Sequence, residues 1–526
     1  MTTSRLRLSV LFIVLAIFIL AIGFTGAQDE NVLIIGHAEL TDSLDPARGF
    51  STTGGIILKA TYDTLVTFPD DSAETVIPSL ATDWEISEDG TVYTFTLRDD
   101  VVFSNGDPLT ADDVVFSFNR LKHVEGNPAF LAETIASVEA PDETTVVITL
   151  AHPDPTILAR LVNTAFGVVN ADVVREQGAT DAEDAAESDT AEEWFNSNSA
   201  GSGPYVLESW EQSVETVLVR NENYWGEAPY FDRVIITNMP EAATQKTALE
   251  AGDIDMALDL TLDQVSTMES EEISIFRGAT NTIMFLIMNQ DPEIGGPMSD
   301  PRVQLAVRLA LDYEGTVALW GGTTPASVIP VGFLGAYGPD RALQRDLDRA
   351  RELLEEAGYP DGFEVTMHYP SWTFAGVNWD TQAQKVQADL AEVGITVELS
   401  PEEVGVSLEA YRAGQQGFGM WLWLPDYLDP GNYVAFLPGQ IVGERVNWTD
   451  ENADETILEL RDRAMTEIDT DARVEIFQSI QDYMQENGPF APFLQTGVQV
   501  AYRSDIQGEV YHPQYILVLA QLSRAM

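Results

Sequence analysis

The chain has 526 residues, 45% apolar and 21% charged, a profile that suits two or three folded domains and argues against disorder. Its 85 acidic and 27 basic residues leave a formal charge of −58, which repels phosphate backbones and sets nucleic acid aside as a partner. There is no cysteine, which excludes disulfides, thiolate metal sites, iron–sulfur clusters, a cysteine nucleophile and a lipidated N-terminal cysteine.

At the N-terminus, Arg5 and Arg7 precede an apolar run from Leu8 to Ile22 broken only by Ser9. Thr25-Gly26-Ala27 then supplies small residues, and Gln28-Asp29-Glu30 opens an acidic chain. This order predicts a secretory signal peptide over residues 1–27, cleaved after Ala27. The alternative is a retained anchor, for which the run is short against the roughly 20 residues a span needs. The protein is expected outside the cytoplasmic membrane, periplasmic or extracellular. Its only lysines are Lys59, Lys122, Lys246 and Lys385, a composition that fits a salty medium and an arginine-preferring genome equally well.

From Val32 to Leu150 the pattern is mostly that of strands. Tyr93, Phe95 and Leu97 alternate with threonines after an Asp89-Gly90 turn, and Val146, Ile148 and Leu150 repeat the alternation. Between them Thr110 caps a predicted helix through Arg120, with Asp113 at the capping-box position. The stretch Ala179 to Asn198, rich in Ala, Asp, Glu and Ser, is expected to be a solvated loop or insertion. After Asp300-Pro301 the rhythm changes. Val303, Ala306, Val307, Ala310 and Leu311 mark one helix face, and Ala350, Leu353, Leu354 and Ala357 mark another that Gly358 stops. Phe363, Val365, Met367 and Tyr369 then alternate. A helix near Asp380 to Val393 ends at Gly394, and Ile395, Val397 and Leu399 alternate again. Such alternation predicts an α/β fold. No Pro/Gly/Ser linker separates the two regions, so chain crossings between lobes are expected at Arg277-Gly278-Ala279 and Asn487-Gly488-Pro489.

Motifs for catalysis are missing. His37, His123, His152, His368 and His512 form no helical metal pair, and there is no P-loop and no nucleophile elbow. Gly201-Ser202-Gly203-Pro204 lacks an N–H where a phosphate cradle needs one. With so many acids, a glycosidase carboxylate pair arises by chance anywhere. No cofactor, metal or catalytic residue is therefore expected.

Several ordered motifs carry a resemblance. They are Ser43-Leu44-Asp45-Pro46; Pro78 to Ser87 with Asp89-Gly90 and Tyr93 to Arg98; Phe103 to Val114; and Gly201 to Leu207. Asn221 to Trp225 with Ala228 to Asp232, Asp300 to Val303 and Ala357 to Phe363 follow in the same order. Together they resemble the extracellular solute-binding proteins of family 5, the peptide- and nickel-type receptors of ABC importers. The resemblance implies an α/β, two-lobed periplasmic-binding-protein fold of the class II, cluster C type, with an extra subdomain in lobe I. Lobe I would take 28–50, 201–278 and 491–526, the extra subdomain 51–200, and lobe II 279–490. It implies a monomeric receptor, not an enzyme, that captures a solute, with a peptide as the expected ligand, and hands it to ABC permease subunits in the membrane. An oligosaccharide receptor of the same family is the alternative, with an extracellular hydrolase behind it.

Trp421-Leu422-Trp423-Leu424-Pro425-Asp426-Tyr427-Leu428-Asp429-Pro430 resembles the W-x-x-D-Y-x-[DE]-P segment of peptide receptors. By that resemblance Asp426 binds a peptide α-ammonium, Trp423 offers an aromatic wall, and Tyr427 and Trp421 flank them. The plainer alternative is an Asp that caps a turn and a Trp that fills a core. Trp372, with Phe374 and Trp379, completes an aromatic set that suits sugar stacking or packing alike. Where dipeptide and some oligopeptide receptors carry an arginine for the ligand carboxylate, this chain has Asp380, Thr381 and Met420. No basic anchor is evident, so longer peptides held through their backbones fit better than strict dipeptides.

Overall fold

The computed structural model describes residues 31–38, 41–70, 72–374 and 376–525, so the expected signal segment lies outside the described residues. One sheet of ten strands runs through the molecule. In chain order these are β1 Val32–His37, β2 Tyr205–Glu211, β3 Glu215–Arg220, β4 Arg233–Asn238, β5 Met256–Ala257, β6 Ile273–Met288, β7 Phe363–Pro370, β8 Ile395–Glu402, β9 Phe418–Trp423 and β10 Phe490–Arg503. Across the sheet they lie in the order β8-β7-β9-β6-β10-β5-β1-β4-β3-β2. β7 and β8 pair in parallel, joined by helix Trp379–Ala391, as a βαβ crossover requires.

The long strands β6 and β10 belong to both halves of this sheet. Ile273 to Ala279 pair antiparallel with Arg503 to Gly497, next to β5; Ile283 to Ile287 pair with Gln495 to Phe490, next to β9. The register slips between Ala279 and Ile283, so residues 280–282 bulge opposite Thr496. The run Ile283 to Met288 is apolar throughout because both of its faces are covered. Ile283, Phe285 and Ile287 join one core cluster, and Met284, Leu286 and Met288 join another.

The bulge is filled from within. The buried Gln495 side chain donates from Nε2 to Thr280 O at 2.8 Å and Val331 O at 3.1 Å, and its Oε1 accepts from Val331 N at 2.9 Å. Thr323 and Gln495 exchange both backbone hydrogen bonds, each 3.0 Å, beside Gly322 at φ +79°. Of the two expected crossings, Arg277-Gly278-Ala279 lies just before the bulge of β6, while Asn487-Gly488-Pro489 closes helix Thr470–Glu486, with Gly488 at φ +86°; the partner of the bulge on β10 lies at 495–497.

A separate four-stranded antiparallel sheet, Ala81–Ile86, Val92–Leu97, Thr145–Leu150 and Ile135–Asp142, packs under helix Ala111–Val124. Tyr93, Phe95, Leu97, Val146, Ile148 and Leu150 are buried, as their alternation predicts. The helix opens with the expected capping box, Thr110 N donating to Asp113 Oδ2 at 2.9 Å. Helix Pro301–Ala310 and helix Leu347–Glu356 bury the predicted faces. Helix Thr52–Thr61, capped by Ser51, was hidden by its two glycines; it packs Ile56, Ile57 and Ala60 against β1 and β2 residues.

The stretch 179–198 is not a solvated loop. It forms helices Ala185–Ser188 and Glu192–Phe195 and buries Ala179, Ala185, Asp189, Ala191 and Phe195. Its acid count misleads because Asp189 belongs to a buried ion-pair quartet. Arg120 donates bidentately to Asp45, both bonds 2.6 Å, and from Nε to Asp189 Oδ2 at 2.7 Å. Arg48 Nη1 reaches Asp45 at 2.9 Å and Asp189 at 3.0 Å. Two carboxylates and two guanidiniums balance, which is what makes burial of any one of them tolerable. No helix among the described residues is long and apolar enough to cross a membrane.

Candidate functional site

β9 ends at Trp423, opposite Ile283 of β6 at the edge of the bulge. The chain then turns through Leu424 to Asp429 into the 3₁₀ segment Pro430–Phe436, with Pro430 at its first position. Asp429 caps that segment, accepting from Gly431 N at 2.7 Å, and receives Arg473 bidentately at 2.5 and 3.0 Å. The turn that carries Asp426 is thus anchored to helix Thr470–Glu486 by a buried ion pair.

Asn432 organises the site. Its Oδ1 accepts from Trp423 Nε1 at 2.7 Å, which leaves its amide N–H to hydrogen-bond the Asp426 carboxylate. Asp426 is half-buried. Burial raises its pKa above the usual carboxylate value, opposed by the Asn432 hydrogen bond and the charge of Arg160. It caps no helix; the capping role in this turn belongs to Asp429. Trp423 meets Phe436 edge-on at 5.6 Å, which fixes its ring.

Tyr427 faces helix Ile157–Leu161. The guanidinium of Arg160, at the end of helix Ile157–Leu161, lies 4.9 Å above its ring centre. Arg160 is held from its own side by Thr156 Oγ1 at 3.0 Å and Glu133 Oε1 at 3.4 Å. Ile157, Leu161 and Val162 share one apolar cluster with Leu428, Tyr433 and Val434. The Asp426 turn therefore packs against segment 157–162, beside the four-stranded sheet.

The other sequence candidates separate from this group. Trp421 is 5% exposed, stacks on Tyr411 at 4.3 Å and donates to Gln416 Oε1 at 2.7 Å, so its ring is core packing. Trp372 lies on the opposite core cluster, stacked on Phe374 at 5.1 Å and edge-on to Trp379 at 5.6 Å. Its Nε1 is buried without a partner among the described residues. Asp380 accepts from Tyr369 Oη at 3.0 Å and Ser371 Oγ at 2.8 Å, and Met420 is buried in the core. Asn432, Arg160 and a further arginine, Arg445, whose guanidinium lies 6.0 Å from the Trp423 ring centre, gave no signal in the sequence. Arg160 and Arg445 lie in other segments, Asn432 follows six residues after Asp426 in its own turn, and no periodic spacing links any of them to it.

A mixed α/β fold whose large sheet has two halves sharing two long strands defines the two-lobed periplasmic-binding-protein class. The structure of HbpA2 from Haemophilus parasuis has this fold at a TM-score of 0.83 and 27% identity, covering 94% of this chain and all of that one. Residues 75–440 match the bacterial extracellular solute-binding proteins, family 5 Middle, and the chain belongs to that family. It is similar to the probable D,D-dipeptide-binding periplasmic protein DdpA of Escherichia coli K12, 27% identical over 502 residues and 93% of each chain. It is also similar to di/tripeptide-binding protein 2 of Pseudomonas aeruginosa UCBPP-PA14, 27% identical over 537 residues and 96% of each. The chain is a substrate-binding protein of the kind that serves ABC importers.

Proposed function

We propose that this protein captures a peptide between its lobes, holding the α-ammonium on Asp426, and delivers it to an ABC permease after export through a cleaved signal over residues 1–27. One observation carries the reading: a half-buried carboxylate with a raised pKa, oriented by Asn432 and walled by Trp423 and Tyr427, at the seam between lobes. A desolvated carboxylate gains most when a cation arrives to pair with it. The peptide-binding relatives support the same ligand class. The protein acts as a monomer and makes or breaks no covalent bond in its ligand. Lobe I takes β1 to β5 with the outer halves of β6 and β10, the four-stranded sheet forms its extra subdomain, and lobe II takes 283–494. Mass spectrometry of the ligand released when the purified protein is denatured tests the reading. A peptide supports it; an oligosaccharide moves the protein to the alternative ligand class.

A further inference from the structure

We propose that Arg308 holds a single halide ion in a cavity between helix Pro301–Ala310, segment 325–328 and the end of helix Thr470–Glu486. The site shares no residue with the Asp426 group, so the inference stands apart from the peptide reading.

Arg308 lies on helix Pro301–Ala310 and is 1% exposed. Its Nη1 donates to Gly488 O at 2.8 Å and Phe490 O at 3.0 Å, and its Nη2 donates to Glu486 O at 2.9 Å. Those carbonyls stand at and just past the C-terminal end of helix Thr470–Glu486, where the helix dipole favours a cation but offers only part of a charge. The Nε–H is buried and has no partner among the described residues. It lies on the edge that a guanidinium shares with Nη2. Elsewhere in this protein that edge takes a carboxylate: Arg98 turns it to Asp100, and Arg120 turns it to Asp189. Arg308 has no carboxylate within salt-bridge reach among the described residues, in a chain that carries 85 acids.

Together with Tyr313, Ala326, Ser327, Gln485 and Phe490, Arg308 lines a cavity of about 10 Å³, and no acidic residue lines it. That is room for a single water-sized occupant. Sulfate, phosphate and carboxylates are too large, which leaves a monatomic anion. The guanidinium cannot escape its charge instead. Burial pulls the Arg308 pKa down to about 10, which still leaves it protonated at neutral pH. Tyr313 supplies no counter-charge, because burial raises its phenol pKa and its Oη donates to Arg308 O at 2.8 Å. A water at Nε would complete the hydrogen bond and leave the charge unmet, and an unpaired buried charge is the costlier of the two. A halide meets both needs. It would tie helix Pro301–Ala310 to Phe490, the first residue of β10.

The test compares sodium chloride with sodium gluconate at one ionic strength, so that screening is the same in both. Purified wild type and Arg308→Met are melted in each salt, and wild-type crystals soaked in sodium bromide are measured at the bromine absorption edge. General effects of the two anions act on both proteins and cancel in the comparison. The chloride-minus-gluconate difference in melting temperature is expected to be larger in the wild type than in Arg308→Met by about 1–3 °C, the increment of a site near tenfold saturation. The anomalous map should place one bromide within hydrogen-bond reach of Arg308 Nε. An equal salt difference in the two proteins overturns the inference. So does a map with no bromine signal beside Nε, since density there without that signal means a water alone. Should Arg308→Met fail to fold, the bromide map on the wild type decides by itself.

Discussion

Asp426→Asn keeps the side chain's size and removes its charge, and it should push stability and affinity in opposite directions. Burial, partly offset by Asn432 and Arg160, raises the Asp426 pKa in the folded protein. The folded state then holds the proton more tightly than the unfolded chain, so stability falls as pH rises from the ordinary carboxyl value through the raised one. At neutral pH the ionised group costs the unliganded protein stability, and asparagine relieves that cost. The unliganded variant should melt at or above the wild-type temperature at neutral pH, and the difference should close below a pH of about 3.9, where aspartic acid is neutral too. Ligand binding reverses the balance. Removing one partner of a buried charge pair typically costs about 2–5 kcal/mol. Asp426 is only half-buried and Arg160 already compensates it in part, which places the loss near the lower end, about 2 kcal/mol or roughly thirtyfold in Kd. Acetylating the peptide's N-terminus deletes the other half of the contact, so the two changes should not add in a double-mutant cycle. Differential scanning calorimetry and titration calorimetry measure both arms. A variant that melts lower and binds free peptide normally would show that Asp426 serves only to hold its turn.

Arg120→Met leaves Asp45 and Asp189 with Arg48 alone and should cost about 3–5 kcal/mol by denaturant unfolding; a loss under about 1 kcal/mol would mean the quartet relaxes by taking up water. In Gly322→Ala, the added Cβ would stand 2.1 Å from Gln495 O, on a backbone at φ +79°, so the Thr323–Gln495 bridge should break at a cost of about 1–3 kcal/mol. Arg160→Gln removes the cation over Tyr427 and should raise the radius of gyration of the unliganded protein in small-angle scattering, whereas an unchanged radius would mean the apolar seam alone holds the lobes together. With 85 acids, the melting temperature should rise with sodium chloride until the Debye length falls below about 10 Å near 0.1 M, and a flat salt response would show that surface repulsion is already neutralised by local pairs.

What could be read beforehand follows from how far each signal travels along the chain. Val303, Ala306 and Val307 announce their helix because 3.6-residue spacing and burial coincide there. Asp426 and Trp423 were visible as a local motif. Asn432, which joins them, was not, because an asparagine in a turn carries no period. Arg160 was invisible for a different reason: only the folded seam brings it over Tyr427. Asp189 was misread since composition cannot tell an acid in water from one clasped by Arg48 and Arg120. The register slip of β10 gave no signal: Gly488 marks a helix end with an obvious turn residue, while Gly497, beside the slip, lies inside a strand that reads as continuous.

The position of β10 also bears on the order in which this chain can assemble. It is the last strand of the large sheet to be synthesised, yet it lies in the middle, between β6 and β5. Before it exists, β1 to β5 have no bond to β6, and the inner half of β6 lacks one of its two neighbours. A nascent chain therefore cannot finish the N-terminal lobe and move on, as chains built from sequential domains do. Closure waits on a contact between residues more than two hundred positions apart, Ile273 with Arg503, and such non-local pairing is slow. For the export proposed above, that delay would be an advantage: both halves of the sheet stay unlocked until almost the whole chain has been made.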